Sequence, residues 1–595
     1  MSSKYPLTWD LEVIYPGGSS SEAFAQELAG MESNIGKLNE FLKGNEGALS
    51  IRVGAMTELV QSILLALRQS ESFVGCLIAQ NVRDHAAIGL NDRVKTIGAK
   101  LLSAMTKFDS ELRGIDDSTW TELLKDVNLN KVAFNLNERR EIAKLKMAPE
   151  LEALAGNLAV DGYHGWADNY NVIVSRAQFH TEEPNGEKKI LSAGQMSNRL
   201  SNADRSVRQA AFVEWEREWS SLADLSAETL NRISGFRLKL YENRGWSSVL
   251  QEPLQMNRMS EATLNAMWEA IEEGKNALVP YLKRKAELLG LEKLDWHDVE
   301  APIGSATRTI PFDEAADFIV EQFRAFDPAL AQFSEKAFRE GWVEAEDRSG
   351  KRPGGFCTSF PKSEQTRIFM TFSGTADNVS TLAHELGHAY HQHVMNDLPG
   401  LAQEYAMNVA ETASTFAEII VSDRAMKAAT DEAEKLVLLE DKIQRSVAFF
   451  MNIHARFLFE TRFYERRSAG LVTATELNEL MESAQREAYR DLLGEVHPHF
   501  WASKLHFYLT DVPFYNFPYT FGYLFSAGLY AKALQEGEGF AEKYVALLRD
   551  TGRLTVEQLA DKHLGVNLEQ LDFWRDAVSL TDEDVKLFLQ MTEKK

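Results

Sequence analysis

From about Ser21 to Lys146 apolar residues recur at helical spacing with charged faces between them, as in "LVQSILLALRQSESFVGCLIAQNV", and few prolines interrupt the pattern. Long amphipathic helices packed on one another are expected there. Around "DGYHGWADNYNVIVSRAQFHTEEPNGEKKIL" the pattern shifts to aromatic and β-branched residues with a Pro-Asn-Gly turn, the signal of a short hairpin. The main boundary is set near residue 195, giving an N-terminal helical lobe over residues 1–195 and a second lobe over residues 196–595. Helical periodicity resumes with "RSVRQAAFVEWEREWSSLADLSAETLNRISGFRLKLYENRGW" and runs on through "EATLNAMWEAIEEGKNALVPYLKRKAELLG". The exception is Gly350 to Phe372, "GKRPGGFCTSFPKSEQTRIFMTF", where Gly and Pro punctuate two short extended runs able to pair as a hairpin. From Tyr544 onward the pattern reads as short helices closing the second lobe. The fold class expected is mainly α, with a small hairpin.

Composition narrows the partners. At 595 residues the chain exceeds the size at which one core keeps growing, so more than one lobe is required. Its 64 Lys+Arg against 88 Asp+Glu give a net charge of −24, which argues against nucleic acid or an anionic membrane as main partner. Cys76 and Cys357 lie far apart and form no C-x-x-C pair, so neither a disulfide framework nor a cysteine zinc site is indicated, and a reducing, cytoplasmic setting fits. The start "MSSKYPLTWDLEVIYPGG" has no basic segment followed by an apolar one, and no uninterrupted apolar run is long enough to span a bilayer; an unexported, soluble protein is expected. No feature signals an obligate protein partner.

The chemistry concentrates in "TLAHELGHAYHQH", Thr381 to His393. The segment from Val379 to Val394 lacks proline, and Asp377 or Asn378 is available to cap a helix there. On that helix His384 and His388 share one face, so both imidazoles can reach one ion. Glu385 is rotated by roughly 100° from His384, beside the metal rather than on it, where it can take a proton from water acidified by the cation. His391 shares the face but sits about 10 Å further along the axis, and "HAYHQHV" contains no helix breaker. A metzincin arrangement would need Gly at 391 and His at 394, where this chain has His391 and Val394.

A third ligand is therefore sought on the next helix, "LAQEYAMNVAETASTFAEIIVSDRAM". Met407, Ala410, Ala413, Phe416, Ala417 and Ile420 recur at helical spacing, and Glu411 falls among them with Ser414, Thr415 and Glu418 in one polar stripe. A carboxylate on a packing face is costly unless it is paired or metal-bound. Glu411 is preferred, Glu404 and Glu418 are rivals on the stripe, and Glu418 suits an orienting role. Further on, "HFYLTDVPFYNFPYTFGYLF" offers His506, Tyr508, Tyr515, Tyr519 and Tyr523 as donors to an oxyanion, or as core aromatics.

"TLAHELGHAYH" followed by "ETASTFAE" resembles the oligoendopeptidase F group of thimet-oligopeptidase-like zinc peptidases. The likeness extends to "WDLEVIYP", "NRISGFRLKLYENRGW", "RIFMTFSGT" and "HFYLTDVPFYNFPYTFGYLFSAGLYA", and so spans nearly the whole chain. It implies one Zn2+ per chain on His384, His388 and Glu411, Glu385 as general base, and a two-lobed helical shell around a deep channel that admits short peptides and excludes folded proteins. It also implies substrate contacts from a C-terminal His and tyrosines, assigned to His506, Tyr515 and Tyr523. On this reading residues 196–595 form the catalytic lobe. Two other classes fit less well. A di-iron carboxylate bundle needs two Glu-x-x-His motifs, and of the 13 histidines only His388 has Glu three positions before it. A helical binding scaffold with a decayed site sits poorly with the complete set His384, Glu385, His388 and Glu411.

Overall fold

A computed structural model describes residues 3–44, 48–183, 186–304, 309–537 and 539–593. The chain is mainly α, as its periodicity requires, with two small sheets. In one, β1 (Phe179–Glu182) and β2 (Lys188–Leu191) pair antiparallel with Phe179 opposite Leu191. Pro184 and Asn185 of the expected turn lie outside the described residues. The other joins β3 (Val343–Glu344), β4 (Phe356–Phe360) and β5 (Gln365–Phe369) in the order β3-β5-β4. The β4-β5 hairpin is the one read from Gly350 to Phe372, while the parallel addition of β3 to β5 carried too few residues to show in the pattern.

Two compact units form, each from three stretches of chain, so neither follows a single cut near residue 195. The first comprises Met1–Pro149, Thr307–Arg424 and Lys532–Val566. Its leading helices are Glu22–Lys43, capped by Ser21, Leu49–Gln80, and His85–Gly114, capped by Asp84. Leu49–Gln80 is long and apolar enough, by length and composition, to cross a membrane. Here its Val60, Ile63, Phe73 and Val74 are buried with Phe24, Leu28 and Phe108 in the core of the unit. The N-terminal segment straps the three-stranded sheet: buried Arg367 donates to the Asp10 carbonyl, the Asp10 amide donates to Gly341, and Trp9 lies against Phe369.

The second unit comprises Glu150–Ala306, Ala425–Ala531 and Asn567–Lys595. The Arg205–Arg244 helix runs for 40 residues and ends on Gly245 in the left-handed region at φ 73°. Glu261–Leu288 packs along the last helix, Leu571–Met591, and Gly274 makes the room that Val578 occupies. That last helix, 21 residues long, departs from the short helices expected, because Phe573, Trp574, Ala577, Val578, Val585 and Phe588 give it one continuous apolar face.

The second unit also buries charge. Asp298 is fully buried, 2.9 Å from Arg208 and 3.0 Å from Arg205. Burial raises its carboxyl, but the two guanidinium groups outweigh this and hold it below the usual range. Asp298→Ala strands Arg208 and is expected to cost about 3–5 kcal/mol in urea unfolding at neutral pH. Because the native carboxyl is depressed, that deficit is full above about pH 4 and shrinks as the pH falls further.

Candidate metal centre

The motif helix runs Ala376–Met395 and is capped by Thr375, whose Oγ1 accepts the Asn378 amide at 3.1 Å. The cap expected at Asp377 or Asn378 thus lies earlier; Asn378 instead accepts the Ser373 amide at 2.7 Å and tethers the entering chain. The helix buries Leu382, Ala383, Leu386, Ala389 and Met395. It packs on β4 and β5 and on the helix Phe540–Asp550. His384 and His388 project from one face with ring centres 4.9 Å apart.

The following helix, Met407–Ala428, buries Val409, Ala413, Phe416, Ala417 and Ile420. At Gly387 the two backbones touch. A Cβ there would collide with the Ala413 carbonyl and stand 2.5 Å from Ser414 Cα. That approach brings Glu411 Oε2 to 3.3 Å from His384 Nε2 and 3.7 Å from His388 Nε2. Among the described residues, these three form one of two His/Asp/Glu groups compact enough for a metal ion. In the other, Asp295, His297 and Glu495, the Arg205 guanidinium already sits 2.8 Å from Asp295 and supplies the positive charge.

The donor set fits zinc. Three donors bonded to one tetrahedral ion at about 2.0–2.1 Å must stand about 3.3 Å apart, close to the spacing here. The far sides of the imidazoles are tied: His384 Nδ1 lies 3.1 Å from Glu418 Oε2, the Ser380 hydroxyl donates to Oε1 of the same carboxylate at 3.0 Å, and His388 hydrogen-bonds the Ala410 carbonyl. Burial and the neighbouring His384 lower the His388 imidazole to about 4 against the pull of Glu411, which favours the neutral form that a metal would require. Burial raises the Glu411 carboxyl, but His384, His388 and a 3.2 Å hydrogen bond from Ser414 overcome it and hold it at about 2.

Glu385 is buried beside this group. The Cys357 amide of β4 donates to it, and its Oε2 has no protein partner. Burial, with the Glu411 charge adding and His384 opposing, pushes the carboxyl up to about 7. His391 is fully buried elsewhere: Nε2 lies 2.8 Å from Thr551 Oγ1 and the ring stacks on Tyr405. His393 is exposed and stacks on Phe333. Glu404 precedes the helix and so falls off the stripe assigned to it.

Against known families, the model described as Peptidase family M3 matches residues 199–577. The chain belongs to peptidase family M3. A model described as Oligopeptidase F matches residues 111–179. An oligoendopeptidase F homolog of Lactococcus lactis subsp. lactis is 23% identical, covering 99% of this chain and 98% of its own. Oligopeptidase PepF of Bacillus subtilis is 22% identical over 91% of this chain and 81% of its own. The crystal structure of oligoendopeptidase-F from Enterococcus faecium shares the fold at a TM-score of 0.71, with 18% identity over 96% of this chain and 99% of that one.

In the second unit of this peptidase, His506 stacks on Tyr515 with ring centres 5.2 Å apart, and Tyr519 stands edge-on to Tyr515 at 5.0 Å. Tyr523 makes other contacts: its ring stacks on Phe449 at 4.4 Å and its hydroxyl lies 2.9 Å from Ser446 Oγ. Tyr508 is buried and stacked on Tyr170, a core position. The structure thus groups His506 and Tyr515 with Tyr519, and leaves Tyr523 engaged with Ser446.

Two residues escaped the reading of the sequence. Ser380 lies four positions before His384 on the same face, a spacing that flags it as support for the histidine's partner. Gly387 is a glycine inside a strongly helical segment, which marks close backbone approach. Gly387→Ala is expected to force the two helices apart, lowering stability by about 1–3 kcal/mol. Metal content by mass spectrometry should fall with it, while a Gly30→Ala control, where a Cβ meets open space, keeps both.

Proposed function

We propose that this peptidase is a zinc-dependent endopeptidase of the cytoplasm that hydrolyses internal bonds of short, unfolded peptides, with one zinc per chain held by His384, His388 and Glu411. The observation that carries the reading is the trio of donors, with Glu411 3.3 and 3.7 Å from the two imidazoles, and the unpartnered carboxylate oxygen of Glu385 beside them. Zinc, when bound, supplies Lewis acidity that eases ionisation of water and polarises a peptide carbonyl. Glu385 takes the proton of the attacking water and passes it to the departing amine, and a carboxyl group near 7 suits both directions of transfer. Glu418 and Ser414 hold His384 and Glu411 in position. His506, Tyr515 and Tyr523 are assigned by family resemblance to the oxygen that gains charge, with Tyr519 next in line because it shares the aromatic group of the first two.

β4 is the edge of its sheet, and its Cys357 amide holds Glu385. An edge strand accepts an extended peptide through backbone hydrogen bonds and is largely indifferent to side chains, which suits short peptides of varied sequence.

Hydrolysis of a quenched fluorescent peptide tests this. Chelator is expected to abolish cleavage and zinc to restore it. Glu385→Gln should lose about 10²–10⁴-fold in kcat while retaining zinc. Glu411→Ala should lose zinc and His391→Ala keep it, and a folded protein substrate should resist. Chelator-insensitive cleavage, or full activity in Glu385→Gln, sinks the mechanism.

A further inference from the structure

Several buried cations of the second unit stand against a carboxylate, and Arg237 instead donates to tyrosine hydroxyls and a backbone carbonyl. Lys285 meets Glu440 at 2.6 Å, Arg208 meets Asp298 at 2.9 Å, and Lys275 is paired with Glu272. Arg456, on the helix Ile453–Ala469, and Lys504, just after the turn Phe500–Ser503, have neither kind of support for both of their charges. Both are half-buried, and both cations stand 5.4 Å from the centre of the Phe500 ring. Arg456 rests Nε and Nη2 on Asn452 Oδ1, at 2.9 and 2.6 Å, a neutral support that leaves its charge unmatched. Among the described residues neither cation has an ion-pair partner. Both feel the charge of Glu300, an exposed residue that pairs with neither.

Burial and the Arg456 charge pull the Lys504 ammonium down to about 8, and burial pulls Arg456 down to about 10. His506 feels both cations, so the pair lies in the same neighbourhood as the His506, Tyr515 and Tyr519 group. Two desolvated like charges without a counterion are unfavourable, and a guanidinium beside an ammonium is a matched receptor for a carboxylate. In a chain of net charge −24 such a spot also draws anions against the general field.

We propose that Arg456 and Lys504 form a carboxylate subsite that receives the free C-terminal carboxylate of a peptide substrate. The proposal rests on the reading of the chain as a peptidase of short peptides. An enzyme that binds varied sequences through the backbone needs an anchor every peptide carries, and the terminal carboxylate is one.

Three quenched fluorescent peptides of one sequence decide it: a free acid without Asp or Glu, its C-terminal amide, and the amide with Glu as last residue. For the wild type the free acid should exceed the plain amide about 10-fold or more in kcat/KM, chiefly through KM. In Arg456→Gln and Lys504→Met the acid-to-amide ratio should collapse toward one. Anisotropy of labelled acid and amide peptides on the Glu385→Gln protein reads the same preference without turnover and without altering either cation. Equal binding of the two peptides there overturns the subsite, as does an unchanged ratio in both cation variants. A Glu-terminated amide that matches the free acid overturns the assignment to the C-terminus. If the wild type cleaves none of the peptides the peptidase reading fails, and the anisotropy preference still decides the subsite.

Discussion

Two helices touch backbone to backbone where Gly387 meets Ala413 and Ser414, and the candidate metal centre depends on that contact. A glutamate side chain is short. With a methyl group between the helices, Glu411 would be carried away from the two imidazoles it now approaches at 3.3 and 3.7 Å. The same contact brings charge out of water, which is unfavourable for a lone carboxylate. Here His384, His388 and Ser414 offset that cost, and the Glu411 carboxyl stays ionised. Proximity and charge balance therefore come from one packing event.

The surrounding elements act on the opposite carboxylate. β4 lies against the motif helix and gives Glu385 one amide, enough to hold it but too little to keep it strongly acidic. The sheet is itself strapped by the N-terminal segment through Arg367 and Trp9, so residues at the start of the chain help set the surroundings of Glu385. Two carboxylates that feel each other's charge thus have opposite tendencies: Glu411 is held low by imidazoles, and Glu385 is raised by burial. One suits a ligand and the other a proton carrier.

Much of this was legible in the residues. Spacing of four on a proline-free helix places His384 and His388 on one face, and helix rise alone removes His391. Glu411 was legible as a carboxylate on an otherwise apolar face, and Glu418 as a neighbour suited to orient. The helical class and the β4-β5 hairpin followed from periodicity and turn residues. The short β3 was not legible, because it exists only through its pairing with β5, whereas the cap at Thr375 is local and lies two to three residues before the cap expected. Tyr515, Tyr519 and Tyr523 have the same residue type at equal spacing, and only packing distinguishes the pair beside His506 from the one whose hydroxyl meets Ser446.

The sequence by itself determined the local chemistry: which side chains can hold a metal, which helix faces they occupy, and that the whole would be mainly helical. These depend on residue type and on the 3.6-residue turn, both local properties. Tertiary structure decided what depends on long-range contact. It folded two units from interleaved stretches, buried His391 against Thr551, brought Glu411 within ångströms of two histidines across a glycine, and left Arg456 and Lys504 without an ion-pair partner among the described residues. Periodicity reports which face of a helix is buried, and is silent on what it is buried against.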